Sequence, residues 1–446
     1  SKKLGQNFLI DDNISRWIVG QLELEEGDSV LEVGPGTGAM SEILAESGVK
    51  TWLVELDERL ADYLVEHFAD TPNVTVAHED AVKHDARFLF AEQPVGLLGN
   101  LPYSCGGHIM IHYLMPPSPF SRAVFMLQKE VAERVVAKPR TKDYGAFSLR
   151  IQAYWRAHML KSVGPAAFYP RPQVDSSVIA LERRKPGELP TFDHATFDRL
   201  VRQGFSQRRK QLKNVLSSSG LNWEAAVDTL GLNPAARAEE LTLEQWIELA
   251  RMADDHPLKD IPQKGDELFD VVDEADQVLR QETRQDVHAN GWLHRAIHVF
   301  VFNKAGELFL QKRSHLKDAH PSVWDSSASG HLDAGEDYDT AVVREIEEEL
   351  GISGQVPEYL ATLPPSQATG WEHVKLYRAK APKRLRYPAS EIETGGYFSL
   401  EFIEKWIAQR PQDFASGFVW FDCFSVPQAD QGLAAMAIRS IYSYVE

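Results

Sequence analysis

The feature that most restricts the fold of this chain is the alternation of short apolar runs with amphipathic stretches over its first half. "SVLEVG", "TWLVEL", "VTVAHED", "GLLGNL" and "AVFMLQ" read as strands, with helical patterns between several of them. Repeated strand–helix order predicts an α/β doubly wound sheet. From about Phe192 the pattern changes. "FDHATFDRLVRQGFSQRRKQLKNVL" and "TLEQWIELARMA" read as helices without strands, a small helical domain. "DDHPLKDIPQKGDE" is polar and Pro-containing, as linkers are. Beyond it, "ELFDVVD", "RAIHVFVFN" and "LFLQKRS" are strand-like again and open a second α/β domain. The expected limits are 1–190 for the first sheet, 191–255 for the helical domain, 256–263 for the linker and 264–446 for the last domain. A length of 446 residues suits about three domains.

Charge is distributed unevenly. The chain carries a net −18, yet residues 1–100 hold 7 Lys+Arg against 19 Asp+Glu, and residues 101–213 hold 19 against 8. A basic segment on an acidic body is compatible with one face binding a phosphate backbone. No apolar run approaches the ~20 residues of a membrane span, and "SKKLGQNFLIDDN" has no signal-peptide core. Cys105 and Cys423 are the only cysteines, too few for a disulfide framework or a Cys-based zinc cluster. The expected compartment is the cytoplasm, with no membrane partner.

"LEVGPGTG" follows a strand and should open a helix. Gly34, Gly36 and Gly38 let the backbone turn tightly and approach a ligand closely. The spacing differs from the G-x-G-x-x-G of dinucleotide binders. With Glu32 in front it resembles the E-x-G-x-G-x-G of S-adenosylmethionine-dependent methyltransferases. Glu55, ending the next strand, suits the two ribose hydroxyls, and Asp80, after the third strand, suits the adenine amine of that cofactor. "GNLPY" then ends the fourth strand. An adenine amine is a poor nucleophile because its lone pair is delocalised into the ring. Two acceptors aimed at its hydrogens, the side-chain oxygen of Asn100 and the carbonyl of Leu101, would localise that pair. Pro102 stiffens the turn, and Tyr103 offers a face on which an extruded base can stack.

Together "KKLGQNFLIDDN", "LEVGPGTG", "GNLPY", "MLQKEVAERVVAKPRTKDYG", "FYPRPQVDSSV" and "FSQRRKQLKNVL" resemble the successive motifs of KsgA-type ribosomal RNA adenine dimethyltransferases, over about residues 1–255. The resemblance implies a Rossmann-like methyltransferase sheet and transfer of two methyl groups to each of two neighbouring adenosines in small-subunit ribosomal RNA, within a pre-ribosomal particle. It implies that Asn7 and Leu9 line the methyl donor with Gly34, Gly36, Glu55, Asp80 and Asn100. It also implies that Phe168 stacks on the target base opposite Tyr103. Arg208, Arg209, Lys210 and Lys213 suit phosphate contacts. The sister Erm-type enzymes, which act on large-subunit RNA, share much of this motif set; "KDYG" and "FYPRPQVDSS" favour the small-subunit reading.

"GHLDAGEDYDTAVVREIEEELGI" raises a different question, because carboxylates three and four apart on a helix repel one another. Glu345, Glu348 and Glu349 share one helix face, beside an apolar stripe of Val342, Ile346 and Leu350. Such a cluster persists when a cation sits in it, and hard oxygen ligands select Mg²⁺ or Mn²⁺, which bridge a diphosphate. Every fixed place of G-x5-E-x7-R-E-U-x-E-E-x-G-U (U aliphatic) is filled, from Gly330 to Ile352, so the stretch resembles the Nudix box, and an α/β/α Nudix domain is expected over 264–446. Glu345, Glu348, Glu349 and Glu336 are the expected metal ligands, with Glu348 and Glu349 also counted as catalytic. "WLHRAIHVFVFN" and "KDAHPSVWDSSASGH" look nearest the branch related to isopentenyl diphosphate isomerase. That enzyme's reactive cysteine matches Ser329 here, which favours hydrolysis of a diphosphate-containing small molecule over isomerisation. His294, His298, His320 and His331 match no zinc spacing and read as satisfied structural histidines.

The expectation is therefore a bifunctional enzyme. Its rivals are a ribosome-assembly factor that acts by binding, and a Nudix domain that serves as a nucleotide sensor.

Overall fold

A computed structural model describes residues 7–102, 105–254, 264–366 and 369–415. Tyr103 and the expected linker lie outside the described residues. The chain divides into two compact units, Ser1–Pro190 with His194–Asp254, and Thr191–Asp193 with Asp255–Glu446.

In the first unit the strands are β1 (Phe8–Leu9), β2 (Ser29–Val33), β3 (Lys50–Glu55), β4 (Val74–His78), β5 (Val95–Asn100), β6 (Arg122–Gln128), β7 (Trp155–Val163), β8 (Phe168–Tyr169) and β9 (Ser176–Arg183). Seven of them form one sheet in the order β4-β3-β2-β5-β6-β9-β7. β2 to β6 run parallel, while β9 is antiparallel to both β6 and β7. All five strands expected in the first half are present. The winding reverses between β2 and β5, and a crevice outside the strand ends at such a reversal is where open α/β sheets bind ligands. Leu31, Val33, Leu97 and Phe125 belong to an apolar cluster on one sheet face, and Val30, Leu98, Val124 and Met126 to a second cluster on the other. β1 and β8 form a separate two-stranded ribbon.

The helical segment does not stand apart as a domain of its own. It packs into the first unit through Tyr144 Oη donating to Leu241 O at 3.0 Å, Arg140 N to Glu239 O at 2.7 Å, and an ion pair of Arg150 with Asp198. The single long helix read over "FDHATFDRLVRQGFSQRRKQLKNVL" is two, His194–Phe205 and Leu212–Val215, so the basic run occupies the turn between them.

The second unit holds β10 (Leu268–Val272), β11 (Val278–Thr283), β12 (His294–Phe302), β13 (Leu308–Arg313), β14 (Trp324–Asp325), β15 (Ala328–His331), β16 (Glu358–Leu363), β17 (Glu372–Lys380) and β18 (Ile392–Phe398). The sheet runs β14-β13-β12-β17-β16, with β15 also pairing β12 and β18 pairing β13; β10 and β11 form a hairpin apart. The acidic stretch is the helix Tyr338–Leu350. Asp337 caps it, accepting from Thr340 N at 2.8 Å, and Gly351 ends it with φ +65°, a conformation that glycine adopts without strain. Its stripe of Val342, Ile346 and Leu350 is buried with Val299 and Val301 of β12. That packing carries the neighbouring Glu345 and Glu349 under cover.

Two candidate active sites

At the β2/β5 reversal the structure brings Gly34 and Asn100 together. A Cβ on Gly34 would lie 3.7 Å from the Asn100 carbonyl oxygen, and Gly34 N donates to Val54 O at 2.9 Å. Gly36 has φ +61°, and a Cβ there would stand 2.9 Å from Phe8 Cδ1. Glu55 ends β3 with its carboxylate turned back on the loop, Oε2 accepting from Gly36 N at 3.1 Å and Oε1 from Asp57 N at 2.9 Å. Asp80 follows β4, and its Oδ1 accepts from Val82 N at 3.1 Å. Leu101 is buried and its amide donates to Met126 O at 3.1 Å, which pins the main chain after Asn100. Asn7 reaches the same place through its carbonyl, which accepts from Asn100 Nδ2 at 3.2 Å, while Leu9 is buried one residue beyond Phe8.

Sequence reasoning passed over the state of Glu32. It is fully buried, and Ser41 Oγ donates to its Oε2 at 2.6 Å while Oε1 has no partner. Burial pushes its carboxyl up to about 7, the Ser41 hydrogen bond only partly opposing it.

Two expectations need correction. Phe168 is not an open stacking face, because the alternation of side chains along the β1–β8 ribbon turns it into the apolar cluster with Leu9 and Met40. The next residue, Tyr169, is the exposed aromatic at 71%. Arg208 is not free for phosphate: its guanidinium is spent on Glu239 and on Thr141 O. Arg209, Lys210 and Lys213 are exposed and have no ion pair among the described residues.

The second site is a cleft of about 770 Å³ lined by Glu345, Glu348, Glu349, His288, His331 and Lys317, among others. Glu345 and Glu349 are buried, and burial raises both carboxyls, helped at Glu345 by the Glu349 charge and opposed at Glu349 by Lys317. Glu349 Oε2 accepts from Ser329 N at 3.1 Å, and Lys317 lies 3.9 Å from its other oxygen. Glu348 stays exposed at the cleft edge. A Cβ on Gly330 would fall 2.1 Å from Glu345 Oε1, so only glycine leaves room for that carboxylate. Glu336 stands beside Arg344. Both its oxygens are taken by Arg344, at 3.0 and 2.8 Å, because a guanidinium fork matches a carboxylate in two places. It orients Arg344, which also reaches Glu345 at 2.9 Å.

Two of the expected structural histidines, His294 and His331, come together with a third ring. His294 pairs in register with Glu372 across β12 and β17, and His331 lies opposite Ala296 across β15 and β12. His288 of the helix Arg284–Asn290 completes a group whose ligand atoms all lie within 4.8 Å of one another. His331 Nε2 is 3.0 Å and His294 Nε2 3.4 Å from the same oxygen of Glu372. Burial pushes the His331 imidazole down to about 4. Burial would raise Glu372, but the two rings against it outweigh burial and hold it well below the usual carboxylate range. Three imidazoles around a carboxylate are a donor set suited to a transition metal. No linear motif could show this, since two strands, a strand end and a helix supply one ligand each. His298, bonded to Ser326 Oγ at 2.9 Å, is a satisfied structural histidine as expected.

The family model for ribosomal RNA adenine dimethylases matches residues 1–255, more than half of the chain. The chain belongs to that family. It also carries a NUDIX domain, matched over residues 292–413. The dimethylase portion is 38% identical over 261 residues to a ribosomal RNA small subunit methyltransferase A of a Geobacillus species, covering 56% of this chain and 90% of that one. The Pseudomonas putida protein of the same name is 38% identical over 250 residues, covering 56% and 93%. A dimethyladenosine transferase structure from Plasmodium falciparum aligns at 22% identity and a TM-score of 0.48, over 54% of this chain and 95% of its own. This dimethylase–Nudix fusion is an enzyme, and none of its described helices is long and apolar enough to cross a membrane.

Proposed function

We propose that the first unit transfers methyl groups from S-adenosylmethionine to the exocyclic amines of two adjacent adenosines of small-subunit ribosomal RNA in a pre-ribosomal particle. The observation that carries this reading is the approach of the Gly34 turn to Asn100 at the sheet's reversal, in a chain of this family. Gly34, Gly36 and Gly38, all at positive φ, fit a ligand that approaches the main chain closely. The cofactor, when bound, supplies an electrophilic methyl group. The chain's part is to make the amine a nucleophile. Asn100 Oδ1 and the Leu101 carbonyl accept its two hydrogens, so the nitrogen lone pair leaves conjugation and points at the donor. Tyr169 offers an exposed ring near the base, and Arg209, Lys210 and Lys213 hold backbone phosphates. The test is Asn100→Ala on particles that lack the modification. The expected result is loss of methyl transfer with donor binding retained; full activity overturns the reading.

For the second unit the reading is divalent-cation-dependent hydrolysis of a diphosphate-containing small molecule. Its carrying observation is the buried Glu345–Glu349 pair beside exposed Glu348, a cluster of like charge that Arg344 and Lys317 offset only in part. Mg²⁺ or Mn²⁺, when bound, would offset that repulsion and provide an activated water. Arg344, locked by Glu336, holds Glu345 toward the cleft, and Ser329 N fixes Glu349. His288, His294, His331 and Glu372 would hold a further ion, to which the substrate's other end can be directed. A panel of nucleotides, dinucleotides, nucleotide sugars and isopentenyl diphosphate, read by mass spectrometry with Glu348→Gln as control, tests this. Isomerisation without cleavage would overturn it.

A further inference from the structure

The methyl-transfer reading requires the Asn100 amide to face one way. Only its oxygen can accept from an adenine amine; turned by 180°, the side chain would set one donor against another. The two ends of an amide differ little in size, so packing alone selects weakly between them. In this chain Nδ2 donates to the main-chain carbonyl of Asn7 at 3.2 Å. A carbonyl oxygen has no proton to give, so the group facing it must be the NH₂. Oδ1 is thereby left on the other side, where no described group donates to it.

The Asn7 carbonyl is itself held in place from two directions. The residues after it pair with the far end of the unit: Phe8 opposite Tyr169, Leu9 opposite Phe168, and Ile10 N donating to Ala167 O at 2.9 Å. The Phe8 ring lies on Gly36 in the donor loop, so closely that only glycine fits there. One short strap therefore touches the donor loop, the amine-polarising residue and the ribbon that carries Phe168 and Tyr169.

We propose that the main-chain carbonyl of Asn7, held by the β1–β8 ribbon, sets the orientation of the Asn100 amide, which makes Asn7 a positioning residue for methyl transfer. This rests on the methyltransferase reading above. In the wild type the orienting bond needs a donor at position 100, and the chemistry needs an acceptor there.

Asn100→Asp separates the two needs. Its carboxylate keeps an acceptor for the amine but turns a negative oxygen on the Asn7 carbonyl. Its protonated form restores both, O–H to Asn7 and C=O to the amine. Methyl transfer to unmodified small-subunit particles is measured from pH 6 to 8.5 for variant and wild type, with S-adenosylmethionine affinity measured by calorimetry at each pH. The expected result is a variant-to-wild-type kcat ratio that rises on acidification, by up to ~10-fold per pH unit while the carboxylate predominates, at nearly constant donor affinity. A ratio that is flat or falls on acidification overturns the assignment. A second measurement needs no variant. With ¹⁵N-labelled asparagine, one Nδ2 proton of Asn100 should exchange with solvent far more slowly than the other, and equal fast exchange of both overturns the bond itself. A wild type that methylates no adenosine overturns the methyltransferase reading, whereas an active wild type with a pH-independent ratio overturns only the role of Asn7.

Discussion

Glu32→Gln should make the first unit more stable at alkaline pH and flatten its pH dependence. The wild-type carboxyl is fully buried, and its pKa stands at about 7 against 4.5 for a free group. A raised folded-state pKa means that the native state binds the proton more tightly than the unfolded chain does. The resulting stability is fully present below pH 4.5 and is lost as pH climbs through 7. The shift is about 2.5 units, which corresponds to ~3 kcal/mol between pH 4.5 and 8. Glutamine still accepts from Ser41 Oγ, but it places an NH₂ where Oε1 had no partner, a penalty of about 1–3 kcal/mol that is the same at every pH. The informative quantity is thus the slope with pH, not the stability at one pH. Because the two units need not unfold together, a probe local to the first is required. Hydrogen exchange of β2 and β5 peptides across a urea series, at pH 5 and pH 8, supplies one. The midpoint for those peptides should fall with pH in the wild type and stay nearly level in the variant. Equal slopes in both chains would refute the claim that a buried, protonated Glu32 governs them.

Gly330→Ala should abolish diphosphate hydrolysis and leave methyl transfer unchanged, because its Cβ would occupy the Glu345 carboxylate; paired assays on one preparation check this. His294→Ala should lower bound Mn²⁺ or Zn²⁺ by about one ion per chain after dialysis, read by elemental analysis. Arg209→Gln with Lys210→Gln should weaken RNA binding and reduce the log–log salt slope by roughly 1–2, whereas Arg208→Gln should act on stability instead, through loss of Glu239 and Thr141.

The five parallel strands of the first sheet, and β12 and β13 of the second, were legible because each is a short apolar run between turns, and the acidic helix because its carboxylates and its apolar stripe share one period. What escaped reading depends on pairing across the chain. The cluster of His294, His331 and Glu372 exists through the register of β12 with β17 and β15, and no spacing along the chain carries that information. The pairing of both Glu336 oxygens with Arg344 likewise appears only in the fold. Phe168 and Tyr169 are neighbours with opposite fates, decided by which face of a two-residue strand meets the core. The separate helical domain was expected from a run of helical patterns without strands, and such patterns are blind to hydrogen bonds such as that from Tyr144 to Leu241.

The β1–β8 ribbon also sets a time order. It joins Phe8 to Tyr169, whereas the five parallel strands of the sheet end at Gln128. On a ribosome adding about 5–20 residues per second, the parallel strands are complete roughly 2–8 s before the chain that clasps the N-terminal strap has been made. During that interval the nascent protein has its glycine turn and its Asn100 but no partner strand to hold Asn7 between them. A half-synthesised copy should therefore bind little methyl donor while it is still attached to the machine whose RNA its family modifies.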